Sequence, residues 1–212
     1  LDPSSSEDCL FLKVLVPVQT QGARQQGRCP VLFWPHGGGF SLGAVDDYDV
    51  DTQIDNLVSR GVIIVQPNYR VGVFGFWSTM LPDAQGNYAV WDVLTALQFV
   101  YREIPAFGGD PSKITLMGQG AGGIINDVLT LSPLSRGLFN NAFILSSSVF
   151  MTTVNKRPEA AIENYKKFAQ EAGCDDRRNS AWNGGRRGQI ANCLRSKSAD
   201  QLLQAQQDAK LS

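Results

Sequence analysis

The chain has 212 residues, with 19 Lys and Arg against 20 Asp and Glu, so its net charge is −1. At 43% hydrophobic and 18% charged residues it is too apolar and too weakly charged for a disordered chain. The near-balance of charge offers no basic surface for nucleic acid, and no apolar run approaches the roughly 20 residues a membrane helix needs.

Residues 11–16 predict a strand, and the polar, Gln- and Gly-rich residues 20–28 a loop. Residues 31–34 form a short apolar run between Pro30 and Pro35 and predict a buried strand; 62–65, ended by Pro67, predict another. Val90, Leu94, Leu97, Tyr101 and Ile104 share one helical face by their spacing. A strand at 114–117 runs into Gly118, a helix follows over 121–131, and 142–145 predict a further strand. Helices are expected at 159–172 and 199–209, separated by an Arg-, Asn- and Gly-rich exposed loop over 175–192. Continuous apolar strands alternating with helices predict an α/β fold with a mostly parallel sheet covered on both faces. There are no internal repeats, and the length suits one large domain or part of one.

Two segments carry chemistry. The first is His36-Gly37-Gly38-Gly39-Phe40, directly after a buried strand. It reads either as a tight turn or as a loop that presents backbone N–H groups to a developing oxyanion, the arrangement of lipases and esterases. The second is Gly118-Gln119-Gly120-Ala121-Gly122-Gly123, between a strand and a helix. Gly118 and Gly122 stand where the Gly-x-Ser-x-Gly nucleophile elbow requires them, but the central residue is Gly120. Gly118, Gly120 and Gly123 also fit a dinucleotide-binding turn, yet residues 138–141 lack the acidic group that would bind the ribose. His36 is the single histidine, so a general-base histidine must be this residue or lie outside the chain. Ser146-Ser147-Ser148 reads as a solvated turn rather than a nucleophile, and Asp46-Asp47-Tyr48-Asp49 as a polar helix start rather than a metal site. Arg177, Arg178, Arg186 and Arg187 read as a solvated basic loop that could dock an acidic partner. Cys9, Cys29, Cys174 and Cys193 allow three full pairings or none, and the residues alone do not choose. The opening residues are not a signal peptide, so either one was removed or the chain starts inside a longer protein; no Asn-x-Ser/Thr acceptor occurs.

The sequence resembles the type-B carboxylesterase and cholinesterase family, which includes inactive members such as neuroligins. The likeness rests on Ser6 to Leu12, on His36 to Phe40, on Asn68-Tyr69-Arg70-Val71-Gly72-Val73-Phe74-Gly75-Phe76, on Gly86-Asn87-Tyr88-Ala89, on Phe107-Gly108-Gly109-Asp110-Pro111, on the elbow, and on Gly173-Cys174 with Cys193-Leu194-Arg195. It runs from about Ser6 to Leu203. The resemblance implies an α/β-hydrolase fold, with residues 1–212 the N-terminal part of a single domain. The triad acid, the triad histidine and the family's dimer helices would then lie beyond Ser212. It implies oxyanion donors at Gly38, Gly39 and Ala121, the nucleophile position at Gly120, and His36, Gly37 and Gln119 lining the site. It further implies a Cys174–Cys193 disulfide, a partner for Cys9 upstream of Leu1, a structural Glu7–Arg70 ion pair, no cofactor or metal, and a secretory-pathway location.

Glycine at 120 has no side chain to acylate, and losing a triad nucleophile costs about 10⁶ in turnover. Three accounts fit: a natural noncatalytic homologue, an esterase whose nucleophile has been replaced, or a serine misassigned as glycine. The first implies a protein that binds a small ester-like ligand or a protein partner, the others a secreted serine esterase acting on small carboxylic esters.

Overall fold

The computed structural model describes residues 6–18, 27–151, 158–176, 178, 180–182 and 185–211. In chain order the elements are β1 (Leu12–Leu15), β2 (Cys29–Phe33), α1 (Val50–Asn56), β3 (Ile63–Pro67), α2 (Gly72–Phe76), α3 (Tyr88–Glu103), β4 (Gly109–Gln119), α4 (Ala121–Leu131), β5 (Asn141–Leu145), α5 (Pro158–Glu171), α6 (Arg187–Arg195) and α7 (Ala199–Asp208). Their contacts group into two compact units. Most of the loop expected at 20–28 lies outside the described residues.

The first unit, Leu10–Tyr69 with Val90–Met151, is built on a five-stranded sheet of order β1-β3-β2-β4-β5. β1 runs antiparallel to β3, and the other pairs are parallel. This is the mostly parallel sheet that the uninterrupted apolar runs call for. Val31, Ile63 and Ile114 stand in register across β2, β3 and β4, as do Phe33, Val65 and Leu116, and all six side chains are buried. β4 is longer than the apolar run at 114–117 suggests, because its first residues already pair with Cys29. α4 covers β4 and β5 and buries Ile124, Ile125 and Leu129; it stops at Ser132, whose successor Pro133 disfavours a further helical turn. α1 starts where the acidic segment predicted a helix start, with the Asp49 carboxylate accepting the Thr52 N–H at 2.7 Å. In α3 the buried residues are Ala89, Val93, Leu94, Leu97 and Val100, and Ile104, just past its end, continues the face. Leu94, Leu97 and Ile104 are buried as expected, whereas Tyr101, at the edge of that face, is 41% exposed.

The second unit holds Arg70–Ala89, the described part of Thr152–Ser212 and the described residues before Leu10. Its core is Trp77, Phe168, Trp182, Ile190, Leu194 and Ala205. The expected exposed loop over 175–192 is a correction: α6 begins at Arg187, and Ile190, Ala191 and Leu194 turn one face inward. Two apolar residues four apart suffice for that face, and the surrounding Arg and Asn residues hide it in composition. Asp175 shapes the preceding turn by accepting from Ser180 Oγ at 2.6 Å and from the Ala181 N–H at 2.7 Å. Cys174 and Cys193 are disulfide-bonded, tying the end of α5 to α6, while Cys9 and Cys29 are half-buried thiols. The expected Glu7–Arg70 ion pair does not form: Glu7 is exposed and has no ion-pair partner among the described residues, and the Arg70 guanidinium lies 5.1 Å over the Tyr88 ring. No helix among the described residues is long and apolar enough to cross a membrane.

Candidate active site

The site lies within the sheet unit, where two segments leave the carboxyl ends of neighbouring parallel strands. Trp34 N–H still donates to the Val65 carbonyl at 2.8 Å, and then Pro35, which has no N–H to give, takes the chain out of the sheet into His36-Gly37-Gly38-Gly39. From the adjacent strand, β4 ends at Gln119 and turns through Gly120 into α4.

Gly120 has φ 57° and ψ −124°, a left-handed turn that a side chain occupies only under strain. Its N–H donates to the Leu145 carbonyl at the end of β5 (3.3 Å), and its carbonyl accepts from the Ile124 N–H (2.9 Å), which starts α4. A Cβ at this position would meet nothing within 4 Å. The neighbouring glycines are the opposite case. A Cβ on Gly118 would stand 2.6 Å from the Gly122 carbonyl carbon, and one on Gly122 would stand 2.5 Å from the His36 carbonyl oxygen and closer still to that of Pro35. Strand, helix and loop therefore touch backbone to backbone, whereas residue 120 faces open space.

The same contacts bring the two segments together. Gly37 packs on Gln119, with its Cβ direction 3.0 Å from both the backbone and the side-chain oxygen of that residue. Gly122 packs on Pro35 and His36. The N–H groups of Gly38, Gly39 and Ala121 donate to no group among the described residues. The last of these opens the 11-residue helix α4, whose N-terminus carries partial positive charge.

His36, expected to line the site, is 1% exposed. Its ring stacks on Tyr69 with centroids 4.2 Å apart and planes 9° from parallel, leaving no side-chain surface for a ligand. Its Nδ1 lies 2.7 Å from the Gly37 carbonyl oxygen, which can only accept, so Nδ1 carries the proton. Burial holds the imidazole below the ordinary histidine range, so it is neutral near pH 7. Gln119 is exposed beside the elbow. Ser147 Oγ donates to the Leu145 carbonyl at 3.0 Å, in keeping with a turn. Asp46 pairs with Lys13, Asp47 accepts from the Ala44 N–H, and Asp49 caps α1. Sequence reasoning missed Tyr48, whose hydroxyl accepts the Gly37 N–H at 3.1 Å, and Tyr69, whose hydroxyl donates to the His36 carbonyl at 2.7 Å. Nothing in their local sequence signals a contact made only by the folded chain.

The sequence model of the carboxylesterase family matches residues 2–212. A medium-chain fatty acyl-CoA hydrolase precursor from Anas platyrhynchos is 36% identical over 201 residues, covering 94% of this chain and 33% of its own. Acetylcholinesterase-1 from Trittame loki is 41% identical over 179 residues, covering 82% of this chain and 31% of its own. A crystal structure of juvenile hormone esterase from Manduca sexta, with OTFP covalently attached, superposes with a TM-score of 0.81 at 32% identity over 94% of this chain and 35% of that one. The chain spans about a third of the length of the curated relatives it matches.

Proposed function

We propose that this chain, which belongs to the carboxylesterase family, is a noncatalytic esterase-like protein that binds an ester-like ligand or a protein group through a carbonyl or carboxylate oxygen. Gly38, Gly39 and Ala121 supply the amide donors, and Gly120 marks the place of the missing nucleophile. The observation that carries this reading is the pairing of an elbow backbone at Gly120 with the absence of any side-chain oxygen there. Ester hydrolysis through an acyl-enzyme needs an atom at that position to form the covalent bond. Donors without it hold an oxygen but leave only weak residual rate enhancement. The disulfide supports a location in the secretory pathway, where such bonds persist.

A second reading is an active secreted serine ester hydrolase in which residue 120 is serine. The open space beyond Gly120 favours it, because a side chain projecting there meets no neighbour at Cβ. Labelling of the native protein with a fluorophosphonate separates the two. The expected result is no adduct at position 120, with a peptide mass across residues 113–126 that matches glycine. Robust labelling at position 120 would end the noncatalytic reading.

A further inference from the structure

The Gly37–Gly39 stretch has three glycines in a row, with φ of +121° at Gly38 and +61° at Gly39. Such a segment has little intrinsic preference for one conformation. Its peptide planes are nevertheless held one after another. Each trans peptide unit carries the carbonyl of one residue and the N–H of the next on opposite edges, so fixing the oxygen fixes where the N–H points.

The His36–Gly37 plane is gripped at both edges. The Tyr69 hydroxyl donates to its carbonyl at 2.7 Å, and its N–H donates to the Tyr48 hydroxyl at 3.1 Å. The Gly37–Gly38 plane is held by His36 Nδ1–H on the Gly37 carbonyl at 2.7 Å. The Gly38–Gly39 plane is held by the N–H groups of Ser41 and Leu42, both 3.2 Å from the Gly38 carbonyl. The amides of Gly38 and Gly39 sit on the free edges of the last two planes. The His36 ring is itself fixed by its face on Tyr69, and the Tyr48 ring by Trp34, 4.8 Å away between centroids.

We propose that His36, Tyr69 and Tyr48 are the positioning residues of the oxyanion loop. The two tyrosine hydroxyls lock the first peptide plane, and the imidazole Nδ1–H, braced on Tyr69, turns the Gly38 amide toward the ligand. His36 thus acts on the backbone and takes no proton from a reactant. The inference rests on the reading of these amides as the ligand-binding donors.

The test uses the intact protein labelled isotopically at glycine, titrated with sodium acetate and followed at the Gly38 and Gly39 amide resonances. In the unaltered protein both resonances are expected to shift. Tyr48→Phe and Tyr69→Phe keep the rings and remove one hydroxyl each, and each is expected to weaken acetate binding about tenfold, the equivalent of one hydrogen bond. His36→Asn places an N–H donor near the position of Nδ1–H and is expected to retain the response that His36→Leu loses. If the unaltered protein does not respond to acetate, the binding reading fails and takes this inference with it. If it responds and the two Phe variants titrate identically to it, the inference alone fails. Loss of stability in those variants with an unchanged acetate response also overturns it, since the tyrosines would then serve the fold and not the donors.

Discussion

Gly122→Ala probes the contact that joins helix, strand and loop. Gly122 is the second residue of α4 and its backbone lies outside the left-handed region, so alanine meets no conformational barrier there. The obstacle is space. The new Cβ would stand 2.5 Å from the His36 carbonyl oxygen and 2.9 Å from the Pro35 carbonyl carbon, where ordinary contact begins at 3.4 Å. Both are backbone atoms, and the His36 carbonyl is pinned by Tyr69, so neither can swing aside. α4 must therefore back away by at least about 0.9 Å from the His36 carbonyl. Overpacking of this kind costs about 1–3 kcal/mol, and the upper end is expected because α4 also buries Ile124, Ile125 and Leu129 against the sheet. Urea denaturation should show a lower midpoint with an unchanged slope. The acetate response should fall as well, because Ala121 moves with the helix while Gly38 and Gly39 stay with the loop. Stability within about 0.5 kcal/mol of the unaltered protein would refute the close approach of α4 to the loop.

Three further outcomes are expected. The Cβ of Gly120→Ser meets no neighbour, and the strain of a φ of 57° costs about 1–3 kcal/mol, so the variant should fold with a single denaturation transition; collapse of the fold would contradict the open space above residue 120. Replacing Cys174 and Cys193 together by serine opens a loop of 19 residues and should cost about 3 kcal/mol in the chain-entropy account, read as a midpoint shift that the reductant-treated native protein reproduces. Burial lowers the folded-state value of His36 below its ordinary 6.5, so the neutral ring's contribution is complete above that pH. It is lost as pH falls from about 6.5 through the lowered folded value, with a slope of at most about 1.4 kcal/mol per pH unit. His36→Asn should flatten that part of the stability–pH curve, and an unchanged curve would show that His36 does not titrate differently on folding.

How far the sequence discloses this molecule depends on whether a feature is local. The strands were legible because a β-branched run such as Ile63-Ile64-Val65 between turn residues has few other uses, and α4 was legible because a glycine turn precedes it and a proline follows it. α6 was not, since Ile190 and Leu194 become one face only against Trp77 and Phe168, which come from distant parts of the chain, and Trp182. The Glu7–Arg70 pair was implied by resemblance alone, and its two residues have no local pattern that requires them to meet. The buried role of His36 was hidden for the same reason, because a ring read by position beside the oxyanion loop is placed by Tyr69, 33 residues away.

The backbone turn at position 120 is set by its surroundings and not by its own residue type. Gly118 must accept the Gly122 backbone, Gly122 must accept the carbonyls of Pro35 and His36, and the Gly120 N–H and carbonyl are held by Leu145 and Ile124. None of these constraints involves an atom beyond Cα of residue 120. The elbow is therefore a property of the flanking glycines and of the sheet, and it persists when the central residue has nothing to project. The spacing of those glycines is what makes the turn legible in the sequence, because Gly118 and Gly122 are positions where the backbones leave no room for a Cβ.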